Sequence, residues 1–353
     1  MTRSDDDQKR SALDVLKLGG NIVTTVIDQY LLTKLERSGI HNDLGASFTS
    51  IQRSKNRIRK AAEPDGEAKL KDEIEWNLQF ADTPLGKHLR KITDYSLESG
   101  SVFYEMKYYD YANLRKVIML EMNANFFLKI RWRHLIKVLH ENLWTSEHSR
   151  PSAPDFVEKT HLNKYRTRIE QARSAAPFLS DILGQHTLSI NGSFYLTPDA
   201  IIDRLAGDEN FRAQIRPELV YISHGDIHCN NILCGIPAKR MILLDCRGKS
   251  PDGTPYFDVA YDIAKIFHDL RSLYSLIEKH YFSVFMRKDS SGVSVTYEFN
   301  RKDLVERFHR NCVWVEQIID ERLTGFGNLR YRANFTEAML YLTTSKSHRT
   351  NIE

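Results

Sequence analysis

The chain has 353 residues, 27% of them charged and 41% hydrophobic, with a formal net charge of +4. That is enough chain for one large or two medium domains with ample core, and too small and dispersed a charge to expect a nucleic-acid partner. No apolar run approaches the roughly 18 residues that span a bilayer, so no membrane partner is expected, and residues 1–11 are polar and mixed in charge, unlike a signal peptide. Cys229, Cys234, Cys246 and Cys312 form no C-x-x-C pair, and spacings of five and twelve among the first three match no common zinc site. Reduced thiols in a cytoplasmic protein are the expectation.

Residues 1–40 read as a tail and a helical extension, with Val15, Leu16, Leu18, Ile22, Val23, Val26, Ile27 and Leu31 interrupted near Gly19-Gly20. They suit packing on a neighbouring lobe or self-association, and the oligomeric state stays open. Residues 47–62 read as a β-hairpin turning at Ser54-Lys55-Asn56, with Ile58 and Lys60 on one strand face. A helix over 66–80 carries Glu67, Glu73 and Glu75, and Val102–Tyr109 is a strand running into a connector. Residues 114–143 are helical by pattern, with Leu128, Trp132, Leu135, Ile136, Leu139 and Leu143 on one core-facing side.

After a Ser/Pro/His-rich link at 145–154, Asp155 can cap a helix to Arg173. This insert sets Lys159, Lys164, Arg166, Arg168 and Arg173 against Glu158 and Glu170. Such a row is most often a solvated face; it also hints at an anionic small-molecule partner. Thr197-Pro198 starts a short helix that Gly207 ends.

The most informative stretch is Ser223–Leu244, closed by Asp245. Two apolar runs, Leu219–Ile222 and Met241–Leu244, flank a polar loop as two buried strands would. The first ends at His224-Gly225-Asp226 and the second at Asp245, with Asn231 between them. Two carboxylates and a carboxamide at one end of a small sheet can hold magnesium ions beside a triphosphate. That is phosphoryl-transfer chemistry: one Asp orients and deprotonates an attacking hydroxyl, while Asn and the second Asp hold the metal. His224 and His228 are four apart but lie in a loop, so a helical zinc pair is not indicated. Downstream, Asp258 and Asp262 open a long helix with Ile263, Ile266, Phe267, Leu270, Tyr274 and Ile277 on one side. Residues 282–299 read as a hairpin around Asp289–Gly292, and 302–323 and 335–344 as terminal helices.

His224-Gly225-Asp226-Ile227-His228, with Asn231 and the later Asp245, resembles the HGDxHxxN and following Asp motifs of the aminoglycoside phosphotransferase and choline kinase superfamily. The resemblance implies an α+β, protein-kinase-like fold, with a small antiparallel-sheet lobe over 41–106 and a mainly helical lobe over 107–353. It implies that Asp226 is catalytic, that Asn231 and Asp245 hold magnesium, and that His224, His228 and Asp262 support the loop. Lys60 would reach the nucleotide phosphates, held by Glu73. Main-chain groups of Glu105, Met106 and Lys107 would meet the adenine edge. The full G-x-G-x-x-G loop of protein kinases is missing; Gly45-Ala46-Ser47-Phe48 stands there, so Ser47 or Thr49 and nearby amides would contact phosphate.

Asp245-Cys246-Arg247-Gly248 and Tyr261-Asp262-Ile263-Ala264-Lys265 look like the D-x-R-G and YDxAK segments of a narrower group, phosphotransferase-like proteins of bacterial capsule and surface-polysaccharide loci. The function implied is transfer of the γ-phosphate of ATP or GTP to a hydroxyl of a sugar or alcohol, in polysaccharide precursor synthesis. Neither the acidic residues an aminoglycoside would want nor an aromatic cage for choline is evident in the insert. Arg247 suits either phosphate or an acid such as Asp258. Three other readings stay open. The incomplete glycine loop fits a catalytically silent nucleotide-binding scaffold. A protein kinase is disfavoured, because no APE-like segment follows Asp245, and transfer of a nucleotidyl group is the third.

Overall fold

A computed structural model of the chain describes residues 49–344, apart from 55, 121–124, 176–177, 236 and 290–291. The expectations for residues 1–40, for Ser47 and for Lys55 lie outside the described residues. Strands β1 (Thr49–Arg53) and β2 (Arg57–Ala62) form the predicted hairpin, with Ile51 opposite Lys60. The Ser54 N–H closes its turn on the Arg57 carbonyl at 2.9 Å. β3 (Ile92–Ser96) and β4 (Phe103–Lys107) complete an antiparallel sheet in the order β1-β2-β4-β3. β3 is an edge strand whose Thr93, Asp94 and Tyr95 are exposed, and so it carries no apolar alternation by which to recognise it.

The Glu67–Phe80 helix joins the two halves of the molecule. Leu70 and Ile74 pack with Ile58, Tyr104 and Met106 of the sheet, while Trp76 and Phe80 enter the core of the helical lobe. The two-lobe α+β arrangement is therefore the expected one, a small antiparallel sheet with one helix against a larger, mainly helical body.

In that body, β5 (Ala112–Asn113) leads into a helix over Leu114–Met119, whose Lys116 N–H is capped by the Asn113 side chain at 2.9 Å. A second helix covers Asn125–Asn142. The single helix expected over 114–143 is thus two segments. β6 (Ser149–Pro151) runs through the predicted link. The insert is a turn of π-helix, Glu158–Leu162, continuing into Asn163–Ala175. β7 (Thr187–Ile190) and β8 (Ser193–Leu196) form a hairpin, followed by helices Pro198–Ala206 and Glu209–Ile215.

The motif lies on β9 (Leu219–Ile222), β10 (Ile232–Cys234) and β11 (Met241–Leu243), with β12 (Tyr256–Phe257) after it. These strands sit in two small sheets, β11-β10-β5 and β12-β9-β6. The expected pair of strands at 219–222 and 241–244 does not form: β11 pairs with β10, while β9 belongs to the other sheet, because Tyr221 and Ile222 pair with Phe257 and Tyr256. β13 (Phe282–Asp289) and β14 (Gly292–Phe299) make the expected hairpin, which β14 extends by pairing with β7.

Beneath the motif lies the Val259–Leu270 helix, every residue of it buried except Lys265. Its N-terminus is capped by Asp258, which accepts the Ala260 N–H at 3.0 Å. It ends three residues before Leu273, at φ +60, so the longer helix expected through Ile277 is broken and resumes at Tyr274–Glu278. Helices Lys302–Arg322 and Leu329–Thr344 pack on it and complete the lobe. All four cysteines are buried, and no disulfide links them. No helix among the described residues is long and apolar enough to cross a membrane.

Candidate active site

The site is built around the loop between β9 and β10 and the residues that follow β11. Gly225 has φ +75, and a Cβ there would lie 2.8 Å from the Arg247 Cβ and 2.9 Å from the Phe257 ring. The glycine therefore serves both the left-handed turn and the close approach of the two loops. Arg247 N–H donates to the His224 carbonyl at 2.8 Å, tying the loop after Asp245 to the one carrying Asp226.

The Val259–Leu270 helix holds that loop from below with three charged side chains spaced three and four residues apart, and so on one face. Asp262 accepts the main-chain N–H of Gly225 at 2.7 Å and of His224 at 3.1 Å, and the Trp144 indole at 3.4 Å. Burial pushes its carboxyl up to about 6, against those three donors. Lys265 pairs with the Asp226 carboxylate at 2.7 Å. Asp269 accepts the Cys229 N–H at 2.9 Å. Burial works to raise the Asp226 carboxyl, yet Lys265 and then His228 hold it well below the usual carboxylate range. At neutral pH it is ionised and fixed in place.

His224 accepts the Asp226 N–H on Nδ1 at 3.3 Å and stands edge-on to Trp76. Burial keeps it neutral, lowering it to about 4. Its contacts are structural. His228 N–H returns to the Asp226 carbonyl at 3.0 Å.

Asn231 donates its Nδ2 to the Asp226 carbonyl at 2.9 Å, which leaves Oδ1 as the atom that could accept from or ligate a partner. The Leu244 N–H donates to the Asn231 carbonyl at 2.9 Å, and so Asp245 follows directly beside it. Asp245 adopts φ +55, a conformation that costs a non-glycine residue about 1 kcal/mol. Its Oδ1 is held there by Lys60 at 2.9 Å and Arg90 at 3.2 Å. Its side chain is 39% exposed. Among the described residues no trio of His, Cys, Asp or Glu could hold a metal ion. The pair Asn231 and Asp245 nonetheless suits magnesium, which takes one or two protein oxygens and completes its shell from phosphate and water.

Lys60 and Glu73 meet at 3.0 Å, both almost fully buried. Burial would lower the Lys60 ammonium, but Asp245 and Glu73 outweigh it and hold the group above its ordinary value. The Tyr104 hydroxyl also donates to Glu73, at 3.0 Å. Arg90, a residue no local pattern marks, completes the cluster. Its guanidinium lies 2.6 Å from the Glu73 carboxylate and stacks 4.6 Å from the centre of the Tyr104 ring. Two cations and two carboxylates thus tie the sheet, its helix and the loop at Asp245 into one charged cluster.

Other expectations meet a different geometry. Glu105 and Met106 lie in β4 between β2 and β3, paired with Arg59 and Ile58 on one side and with Asp94 and Ile92 on the other. Their main-chain groups face ladder partners and are not free for an adenine edge. Lys107 is paired with Arg57 at the strand's end. The Glu105 side chain binds Arg59 at 3.1 Å and Arg57 at 3.5 Å. Arg247 does not meet Asp258, which is taken by Arg332 at 2.8 Å; its guanidinium donates to the Tyr261 hydroxyl at 2.7 Å. Of the residues missed, Lys265 and Asp269 had a signal, two charges in step with Asp262 on an otherwise apolar helix. Arg90 had none.

No family profile matches the chain, and no curated protein matches it. Among solved structures it is similar to an aminoglycoside-3'-phosphotransferase of type VIII, at 12% identity and a TM-score of 0.40, over 84% of this chain and 92% of that one. A likeness so remote carries no residue's role across.

Proposed function

We propose that the protein is a small-molecule kinase that transfers the γ-phosphate of ATP or GTP to a hydroxyl of a sugar or alcohol. The observation that carries this reading is the convergence of two charged pairs on one loop system. Lys60–Glu73 reaches Asp245 from the sheet side, and Lys265 holds Asp226 from the helical side.

In this reading Lys60 binds the nucleotide phosphates and Glu73 fixes its position. Asn231 Oδ1 and Asp245 would hold magnesium, which when bound neutralises charge on the phosphates. Asp226 accepts a hydrogen bond from the acceptor hydroxyl and takes its proton as the new O–P bond forms and the bond from the γ-phosphorus to the bridging oxygen breaks, releasing the nucleoside diphosphate. Its weakened basicity suits orientation more than strong base catalysis, which is what a loose phosphoryl-transfer transition state requires. Asp262 and Asp269 hold the amides of His224, Gly225 and Cys229, and so fix the backbone that carries Asp226. The further assignment to surface-polysaccharide precursor synthesis is supported by the D-x-R-G and YDxAK segments alone.

The test is a metabolite screen with Mg·ATP and Mg·GTP, reading a mass gain of one phosphate. Asp226→Ala should lower kcat by roughly a hundredfold or more while nucleotide affinity, measured by calorimetry, is retained. Turnover unaffected by that change defeats the assigned role. Magnesium-dependent nucleotide binding without transfer to any acceptor would make the protein a silent nucleotide binder.

A further inference from the structure

The cations of the helical insert are mostly neutralised within the insert itself. Lys159 pairs with Asp155 at 2.8 Å, Arg166 with Glu158 at 2.5 Å, and Arg173 with Glu170 and Asp199. Arg168 turns to Gln171 at 3.4 Å. Lys164 differs. It points off the insert toward the catalytic loop, its ammonium 5.7 Å from the centre of the Tyr261 ring. The same tyrosine's hydroxyl takes the Arg247 guanidinium at 2.7 Å, and Lys265, one helical turn on, holds Asp226.

Three cations, Lys164, Arg247 and Lys265, therefore gather around Tyr261, and the Asp226 carboxylate is already committed to Lys265. Among the described residues neither Lys164 nor Arg247 has a carboxylate within ion-pair distance. Burial holds the Lys164 ammonium below its ordinary value; Tyr261 offsets this in part, and Arg247 and Lys265 add to it. The Tyr261 phenol responds in kind: burial would raise it, but Arg247, Lys164 and Lys265 bring it to about 8. Uncompensated like charges in a partly buried site are costly, and an anionic ligand removes that cost. The nucleotide side of the loop has its own cations, Lys60 and Arg90, which are already bound to Asp245 and Glu73.

We propose that the phosphate acceptor is itself an anion, a sugar acid or a phosphorylated alcohol, whose carboxylate or phosphate sits on Lys164, Arg247 and the Tyr261 hydroxyl. The hydroxyl to be phosphorylated then faces Asp226. This rests on the kinase reading and names its acceptor class. Lys164 and Arg247 are specificity residues, and the acceptor pocket is walled on one side by the insert.

Calorimetry with matched pairs tests it: glucose against glucuronate and glycerol against glycerol 3-phosphate, each with and without a non-hydrolysable Mg·ATP analogue. The anionic member should bind at least tenfold more tightly, with the analogue present or absent. Lys164→Met should abolish that preference while leaving affinity for the analogue unchanged. Equal binding within each pair, or no binding of any anion, overturns the proposal. So does displacement of the anion by the analogue, or loss of analogue affinity in Lys164→Met, since either would make the cluster a seat for the nucleotide's own γ-phosphate. Arg247→Lys, which keeps the charge, should retain part of the preference and shows that a loss is not general unfolding. Anion preference without phosphate transfer would defeat the kinase reading and leave an anion-binding site; transfer to neutral acceptors alone would do the reverse.

Discussion

Arg90 shows how much one buried side chain can govern. Its guanidinium lies between two carboxylates, Glu73 at 2.6 Å and Asp245 at 3.2 Å, and is 1% exposed. Lys60 already meets both acids, so Arg90 balances the cluster's charge as well as holding it in shape. Removing one partner from a buried ionic cluster leaves charge without compensation, at a cost of about 3–5 kcal/mol. Arg90→Met should lower the unfolding free energy by about that amount in urea titrations at neutral pH. Arg90→Lys should recover only part of it, because an ammonium cannot span two carboxylates with a planar fork. A change of less than ~1 kcal/mol in Arg90→Met would mean that Lys60 suffices. The pairing of Lys60 with Glu73 could be anticipated from a strand lysine and a helix glutamate thirteen residues apart. Arg90 could not, since its partners lie in two other elements and its own surroundings are ordinary connector sequence.

Among the elements, the segment from Asp245 to Lys249 and the Glu67–Phe80 helix act as a clasp. Gly248 has φ +71, and a Cβ there would fall 2.4 Å from the Asp72 carbonyl oxygen. Lys249 then pairs with the Asp72 carboxylate at 2.5 Å, and the Cys246 thiol lies 3.6 Å from the Glu73 carbonyl. The glycine of the D-x-R-G segment thus sets how closely the loop after Asp245 approaches the helix carrying Glu73. Gly248→Ala should destabilise the protein by about 2–3 kcal/mol and weaken Mg·nucleotide binding at least tenfold, read by thermal unfolding and calorimetry. Gly253→Ala is the control. Its φ of +77 is similar but open space surrounds it, so it should cost only about 1 kcal/mol and leave nucleotide affinity intact. Equal effects of the two would show that backbone strain, not the approach to Asp72, is what matters. The β7–β8 hairpin is an opposite case. Its turn is Asn191-Gly192, both with positive φ, a strong two-residue hairpin signal that the sequence carries within two positions.

At the scale of the whole molecule, burial of neutral histidines sets the acid limit of stability. His161 and His268 are each lowered to about 3 and His224 to about 4, burial being the chief cause in all three. In the unfolded chain each protonates near 6.5, whereas folded they stay neutral. The stability they confer is complete above that value and is lost as pH falls from 6.5 toward 4, by up to about 1.4 kcal/mol per pH unit for each group. Denaturant unfolding between pH 7.5 and pH 4.5 should show this slope. His161→Phe, in a site lined by Phe156 and Phe335, should flatten it measurably while leaving the loop at Asp226 untouched. A slope unchanged by the substitution would place the acid sensitivity elsewhere.

Local pattern was enough for the hairpin at 49–62, the helix at 67–80, the strands β9 and β11, and the clustering of Asp226, Asn231 and Asp245 in one loop system, because short-range periodicity and turn chemistry act within a few residues. It was also enough to mark the insert as basic. What only the folded chain decided is which charges are spent and which remain. Arg166 and Arg173 are neutralised by acids brought to them, Arg90 is drawn into the cluster at Asp245, and Lys164 and Arg247 are left against Tyr261. Coulomb energy depends on distance and burial, not on separation along the chain, so that distinction had to wait for the packing of distant elements.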